Sequence, residues 1–277
     1  ASHLDVPLDF LTDSLDVDER SRYEKEEEST FILINSPVLN DEKKESEAIY
    51  ITIPIGIILT GNLIVTICSD ENPILEKFLE NQIKNFDPED RNLFVLQIFE
   101  QNVYRFLECL KKLNLKRNLI EQELYHSSRS SELQQLLRIE KSLVYFVSSL
   151  STNELLKMKI KRTDLLKIGN EEKYADLFED VIIDNSQALE MSNVYTNILS
   201  GTMEAYASII SNNLNVIIHR LTIVTIILLV PSMVASFYGM NLEFLPFRDA
   251  RYAFPLITML SVMLGFGVVY YFSGNKK

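Results

Sequence analysis

The sequence predicts an α+β membrane protein. A small mixed α/β N-terminal domain is followed by a helical hairpin. A very long stalk helix then runs into the first of two C-terminal transmembrane helices. Three observations carry this prediction. Short β-branched runs are confined to the first 70 residues. From Pro88 onward the apolar residues recur at helical spacing. Two runs near the C-terminus, Leu221 to Tyr238 and Ala253 to Phe272, are apolar and carry no charge apart from the titratable phenols.

The N-terminal part, residues 1–87, reads as a partial α/β domain. Ala1-Ser2-His3 resembles a cloning scar, and His3 is given no role. Residues 1–30 hold no apolar h-region, so no signal peptide is expected there. Pro7 to Leu15 suits a short helix. Phe31–Ile34, Ile49–Ile53, Ile55–Leu59 and Leu63–Ile67 are expected as four strands, with Thr60-Gly61-Asn62 as a tight hairpin turn. Asn40 to Glu47 is a charged connection. Asn72-Pro73 places a cap and a first-turn proline at the start of a helix.

Residues 88–170 predict an antiparallel helical hairpin. Leu96, Phe99, Val103, Phe106, Leu110 and Leu113 form one seam in steps of three and four. The serines at 127, 128, 130 and 131 mark the turn. Leu133, Leu136, Leu143, Val147 and Leu150 form the returning seam, and Ile168-Gly169-Asn170 ends it. Residues 171–214 read as a stalk helix continuous with a first span over 215–238. Gly201 is the only glycine in this stretch and Pro231 the only proline. Unbroken, such a helix is about 100 Å long. Its seam includes Asn185, Ser192 and Thr202. So polar a seam is expected to pack poorly in a dimer and to line a wide bundle of copies.

The remaining segments are a loop over 239–252 and a second span with a short basic tail over 253–277. Each uncharged run is long enough to cross a hydrocarbon core of about 30 Å. His219-Arg220 and Lys276-Lys277 flank the spans on one side, which the positive-inside rule assigns to the cytoplasm. A multi-pass protein of the cell membrane with both termini cytoplasmic is expected. The net charge of −12 disfavours nucleic acid as a partner and favours cations. Two cysteines without a CxxC spacing fit a reducing compartment. His126 and His219 lie far apart, and no nucleophile elbow, phosphate loop or HExxH occurs, so no enzyme is expected.

On a helical wheel Asn215, Thr222, Thr225, Leu229, Ser232 and Ser236 share a sector of roughly 100°, and Ile218 falls within it. A polar stripe on a membrane helix faces other helices or water. It serves either tight packing through Ser and Thr or a pore enclosed by several copies. A membrane-anchored coiled-coil scaffold without transport is the competing reading.

The first span ends in Tyr238-Gly239-Met240-Asn241, ahead of a short loop and a second span. This resembles the signature of the CorA family of divalent-cation channels, at the family's position. The resemblance extends back through Leu221-Thr-Ile, Pro231 and the stalk to Leu11-Thr-Asp13-Ser-Leu15 and Asp18-Glu-Arg20. It implies a homopentamer in the lipid bilayer whose first spans line a pore. It also implies uptake of hydrated Mg2+, with Co2+ and Ni2+. Gly239, Met240 and Asn241 would form the selectivity filter, with Gly239 turning the backbone sharply. A Zn2+-transporting branch of the superfamily exists, and Met240 favours the Mg2+/Co2+ branch. Mg2+ would also be the regulatory ion, bound between subunits by carboxylates that match Asp13 and Asp180, with Asp9, Asp16 and Glu179 as rival positions. Asp180 lies 59 residues before Gly239, which at 1.5 Å per residue is about 90 Å from the outer mouth. Family members carry further strands and helices before the segment that opens here near Leu4, so a trimmed N-terminal domain is expected.

Overall fold

The computed structural model describes residues 6–26, 29–40, 47–61, 63–126, 130–168, 172–240 and 252–274. The chain divides into two compact units, 1–203 and 204–277.

In the first unit a short helix α1 (Leu8–Asp13) precedes four strands: β1 (Arg22–Glu26), β2 (Ser29–Leu39), β3 (Tyr50–Thr60) and β4 (Leu63–Cys68). They form one antiparallel sheet in the order β1-β2-β3-β4. Two expectations are corrected. The runs 49–53 and 55–59 are one strand, with Pro54 inside it opposite Asn35. Proline lacks an N–H and normally breaks a ladder. Here β4 stops at the Ile55–Cys68 pair, one residue short of Pro54. The Cys68 thiol donates to the Pro54 carbonyl at 3.3 Å, so the proline's polar edge faces the side where the ladder has already ended. The fourth strand is instead the charged segment β1, which is not among the expected strands; its alternation carries Arg, Glu and Lys.

The sheet is covered on both faces. Phe31, Leu33 and Ile58 pack under α1 with Val6 and Phe10, and the Phe10 and Phe31 rings stack at 4.6 Å. Ile32, Ile34, Ile55 and Ile57 face the main core. That core comprises α2 (Pro73–Leu79), α3 (Arg91–His126), α4 (Ser130–Thr163) and the start of α5 (Glu172–Tyr238). Asn72 caps α2 by accepting from the Ile74 N–H at 2.9 Å. Leu96, Phe99, Val103, Phe106, Leu110 and Leu113 are all buried. Asn102 and Asn153 donate to the Asn35 carbonyl at 3.0 and 2.9 Å, tying α3 and α4 to β2.

The polar seam of α5 is buried against the chain's own hairpin. Asn185 donates to the Leu150 carbonyl at 3.1 Å and accepts from Lys157 at 2.6 Å. The expectation that this seam lines a bundle of copies is therefore corrected for its first half. Asn185 has its partners within the same chain.

In the second unit, α5 continues to Tyr238 and α6 (Ala253–Gly274) follows. Ser261 and Gly265, four residues apart, are the buried positions among the described side chains of α6. A side chain at 265 would first meet the Ile227 carbonyl at 3.8 Å and Val230 at 3.9 Å. Small residues let the two helices approach closely.

Candidate ion pathway and regulatory carboxylates

The most apolar 18-residue windows of α5 and α6 have mean hydropathies of 2.1 and 1.7. Their large side chains are exposed, including Leu221, Leu228, Met233, Phe237, Phe254, Leu260 and Met263. Soluble monomers rarely leave so continuous an apolar surface bare. The helix is neither buried as a core element nor placed as an N-terminal signal, which leaves a bilayer as its natural solvent.

Along α5 from Leu221 onward the half-buried residues are Ile223, Ile226, Ile227, Val230, Pro231, Val234 and Tyr238. Ile227 and Val230 are the contacts of Gly265 on α6. Asn215, Ile218, Thr222, Thr225, Leu229, Ser232 and Ser236 are all exposed. At about 100° per residue their mean direction is roughly 150° from the half-buried side. One side of the helix thus serves intrachain packing, and the stripe points away from it.

Three of the stripe hydroxyls share a hydrogen-bonding state. Thr222 donates to the Ile218 carbonyl, Thr225 to Leu221 and Ser232 to Leu228, each at 2.8 Å. A hydroxyl has one hydrogen and two lone pairs. With the hydrogen turned back onto the helix, each oxygen faces outward as an acceptor only. Pro231 removes the N–H that would bond the Ile227 carbonyl, and that carbonyl lies on the α6 side.

At the end of α5 the Gly239 N–H bonds the Ala235 carbonyl at 2.9 Å and the Met240 N–H bonds Phe237 at 3.3 Å. Gly239 is not in the left-handed region; the only described glycine there is Gly61. The Gly239 N–H completes the last turn of α5, and the chain leaves the helix there through a turn at Gly239 and a bend at Met240. Asn241 lies outside the described residues.

The two candidate regulatory carboxylates sit in the first unit. Asp13 ends α1 on one face of the sheet. Its seat is fixed by Ser14, which is fully buried and donates to the Phe10 carbonyl at 2.6 Å. Ser14 lies directly over Gly56, where an added Cβ would stand 1.9 Å from the serine oxygen. Asp13 is not free. Its Oδ2 accepts from Arg22 at 2.6 Å, and Arg22 also pairs with Glu24 at 2.6 Å and with Glu19. Burial acts to lower the Arg22 pKa, but the bonds to Glu24 and Glu19 outweigh it and hold the guanidinium above its ordinary value. The sequence reading missed Arg22. Its signal was an arginine with a carboxylate two residues after it, which on a strand shares its side, and another three residues before, ahead of the strand.

Asp180 is exposed on α5 and lines a polar cleft of about 740 Å³ with Glu100, Tyr104, Lys77, Lys84 and Lys173. Burial, then the charges of Glu100, Asp184 and Asp180, raise the Tyr104 phenol. α1 and the α5 segment that carries Phe178 cover opposite faces of the sheet. One chain therefore does not bring Asp13 and Asp180 together. Among the described residues no group of three His, Cys, Asp or Glu side chains could hold a metal ion.

The family described as CorA-like Mg2+ transporter protein matches residues 1–277. The chain belongs to that family. The cobalt/magnesium transport protein CorA of Methanocaldococcus jannaschii is 28% identical over 272 residues, covering 96% of this chain and 83% of that one. The complete structure of the CorA magnesium transporter from the same organism superposes with a TM-score of 0.79 at 24% identity. The match covers 99% of this chain and 85% of that one. The cytoplasmic domain of ZntB from Vibrio parahaemolyticus matches with a TM-score of 0.60 at 9% identity, over 76% and 82% of the two chains, a likeness of fold alone. With the family established, α5 and α6 are the two spans of a membrane transporter and the α+β class stands.

Proposed function

We propose that this CorA-family chain is one subunit of a homopentameric channel that conducts hydrated Mg2+, and also Co2+ and Ni2+, into the cytoplasm. The observation that carries the proposal is the stripe on α5. Its hydroxyls present acceptor oxygens on the side that α6 does not use. Mg2+ surrenders its water reluctantly, so a pathway for it must serve the hydrated ion. The waters of a cation turn their hydrogens outward, and a wall of acceptors satisfies them without stripping the shell. Two spans cannot enclose such a path, so several copies must. The selectivity filter is assigned to Gly239, Met240 and Asn241, with a ring of Asn241 amide oxygens meeting the shell at the outer mouth and Asn215 forming a second ring near the inner end. Neutral amides hold a divalent ion less tightly than carboxylates would, which conduction requires. Both termini are cytoplasmic in this reading. Internal Mg2+ closes the channel by bridging Asp13 of one copy and Asp180 of the next.

Flux into liposomes tests the proposal, comparing Mg2+ with Zn2+. Mg2+ should pass and Asn241→Ala should abolish its passage while mass in detergent still gives five copies. A stable monomer or dimer, or wild-type Mg2+ flux in Asn241→Ala, overturns it. Zn2+ flux without Mg2+ flux would move the chain to the zinc branch. Asp180→Lys should leave a channel less inhibited by internal Mg2+.

A further inference from the structure

We infer that Arg22 is a built-in competitor of the regulatory cation at Asp13, occupying that carboxylate when the ion is absent and thereby setting the Mg2+ concentration at which the channel closes. This rests on the assignment of Asp13 as a regulatory ligand and adds to it the group that tunes it.

The geometry makes the exchange local. The Arg22 guanidinium reaches three carboxylates at once, Asp13, Glu19 and Glu24. If a cation takes Asp13, Arg22 keeps the other two, so neither the guanidinium nor the carboxylate is left unpaired. An arginine held by Asp13 alone would be orphaned by the ion, and binding would cost more. The backbone has no need to move. Ser14 is buried and seated on Gly56, which anchors the end of α1. The exchange is then a matter of side-chain rotation. Both partners are accessible to an arriving ion, each side chain being 28% exposed. The guanidinium lies 6.0 Å from the Phe31 ring centroid, so it has a further resting place once Asp13 is released. Electrostatics points the same way. One arginine against Asp13, Glu19 and Glu24 leaves the cluster two charges negative, and a divalent ion completes neutralisation that Arg22 begins.

The test uses the full chain in liposomes, measuring Mg2+ flux against internal Mg2+ for wild type, Arg22→Gln, Arg22→Lys, Asp13→Asn and the Asp13→Asn/Arg22→Gln double variant. Arg22→Gln should close at roughly two- to fivefold lower Mg2+, the range a partly exposed ion pair is worth. That shift should shrink at high ionic strength. Arg22→Lys should fall between wild type and Arg22→Gln, since its point charge cannot hold three carboxylates in a fixed fork. In the Asp13→Asn background, Arg22→Gln should add nothing. If Asp13→Asn alters inhibition but Arg22→Gln leaves the midpoint unchanged or raises it, the competitor role fails and the regulatory reading of Asp13 survives. An undiminished Arg22→Gln shift in the Asp13→Asn background also overturns it, because Arg22 would then act elsewhere. If Asp13→Asn itself changes nothing, the reading of Asp13 fails, and this inference with it.

Discussion

The two units of the chain solve opposite packing problems. In the first, the sheet is buried on both faces and interior amides tie its layers together, Asn102 and Asn153 donating to the Asn35 carbonyl. In the second, two helices touch through small residues and leave most of their apolar surface outward. Burial measures stability in the first unit and says little about the second, whose apolar surface faces lipid. A substitution should therefore act through folding in one and through transport in the other.

The largest expected effect lies in the first unit. Phe99 is fully buried and packs toward Phe178 at 6.4 Å between ring centroids. Phe99→Ala should destabilise the unit by about 3–5 kcal/mol, the usual cost of an aromatic-sized cavity. Thermal unfolding and hydrogen exchange over α3 and α5 would read it. Protein that does assemble should conduct as before. If Phe99→Ala unfolds like wild type, the core of the first unit is not where its stability resides.

The matching change in the second unit replaces the stripe hydroxyls by methyl groups of similar size. Thr222→Val with Thr225→Val should lower Mg2+ flux at least about tenfold, a loss equivalent to 1.4 kcal/mol, with little change in melting temperature. The acceptor wall is gone while shape and helix are kept. A drop in stability equal to that of Phe99→Ala, with normal flux in the surviving protein, would mean that the stripe is packing surface.

Gly56→Ala is expected to fall between these in severity and to touch both properties. The added methyl collides with Ser14 and forces α1 away from the sheet, at a cost of about 1–3 kcal/mol for an overpacked site. Asp13 moves with it, so closure by internal Mg2+ should weaken in the same variant. Gly61→Ala is the contrasting control. Nothing stands within 4 Å of a methyl there, and the only penalty is the left-handed backbone at φ +48°.

How legible this was in the sequence differs between the two regions. α5, α6 and the hairpin seams followed from periodicity and from the missing charges, because helices carry their pattern locally. The sheet was only half legible. β1 hides its strand character behind charged residues, and Pro54 divides β3 on paper because proline's tolerance depends on where the neighbouring strand stops. The site shows the same division. The stripe could be placed on one side of α5 from spacing alone. That its hydroxyls bond back to the helix, and that Asp13 is shared with Arg22, depend on side-chain geometry that spacing does not carry.

The smallest expected effect belongs to Lys157, and it sharpens the comparison because only a densely packed unit could produce it. Its ammonium is fully buried between α4 and α5, bonded to Asn185 and 5.9 Å from the Phe99 ring centroid. Burial drives its pKa down to about 7, against a smaller opposing pull from Glu154. The sign follows from proton counting. Between the lowered folded value and the ordinary lysine value, the unfolded chain holds a proton that the folded chain has released. Stability therefore rises with pH across that interval, by at most about 1.4 kcal/mol per unit, and levels off below the folded value. The clean window is pH 7 to about 8.5. Above it Cys109, raised by burial to about 11, acts with the opposite sign, since the folded state then keeps a proton that the unfolded state loses. Thermal melting of the full chain across that window should show a rising melting temperature in wild type. In Lys157→Met the rise should disappear, because methionine fills a similar volume without a titrating group, although Asn185 loses the donor to its side-chain oxygen. If Lys157→Met keeps the wild-type slope, another group titrates in the window and the buried ammonium is not what couples the α4–α5 seam to pH.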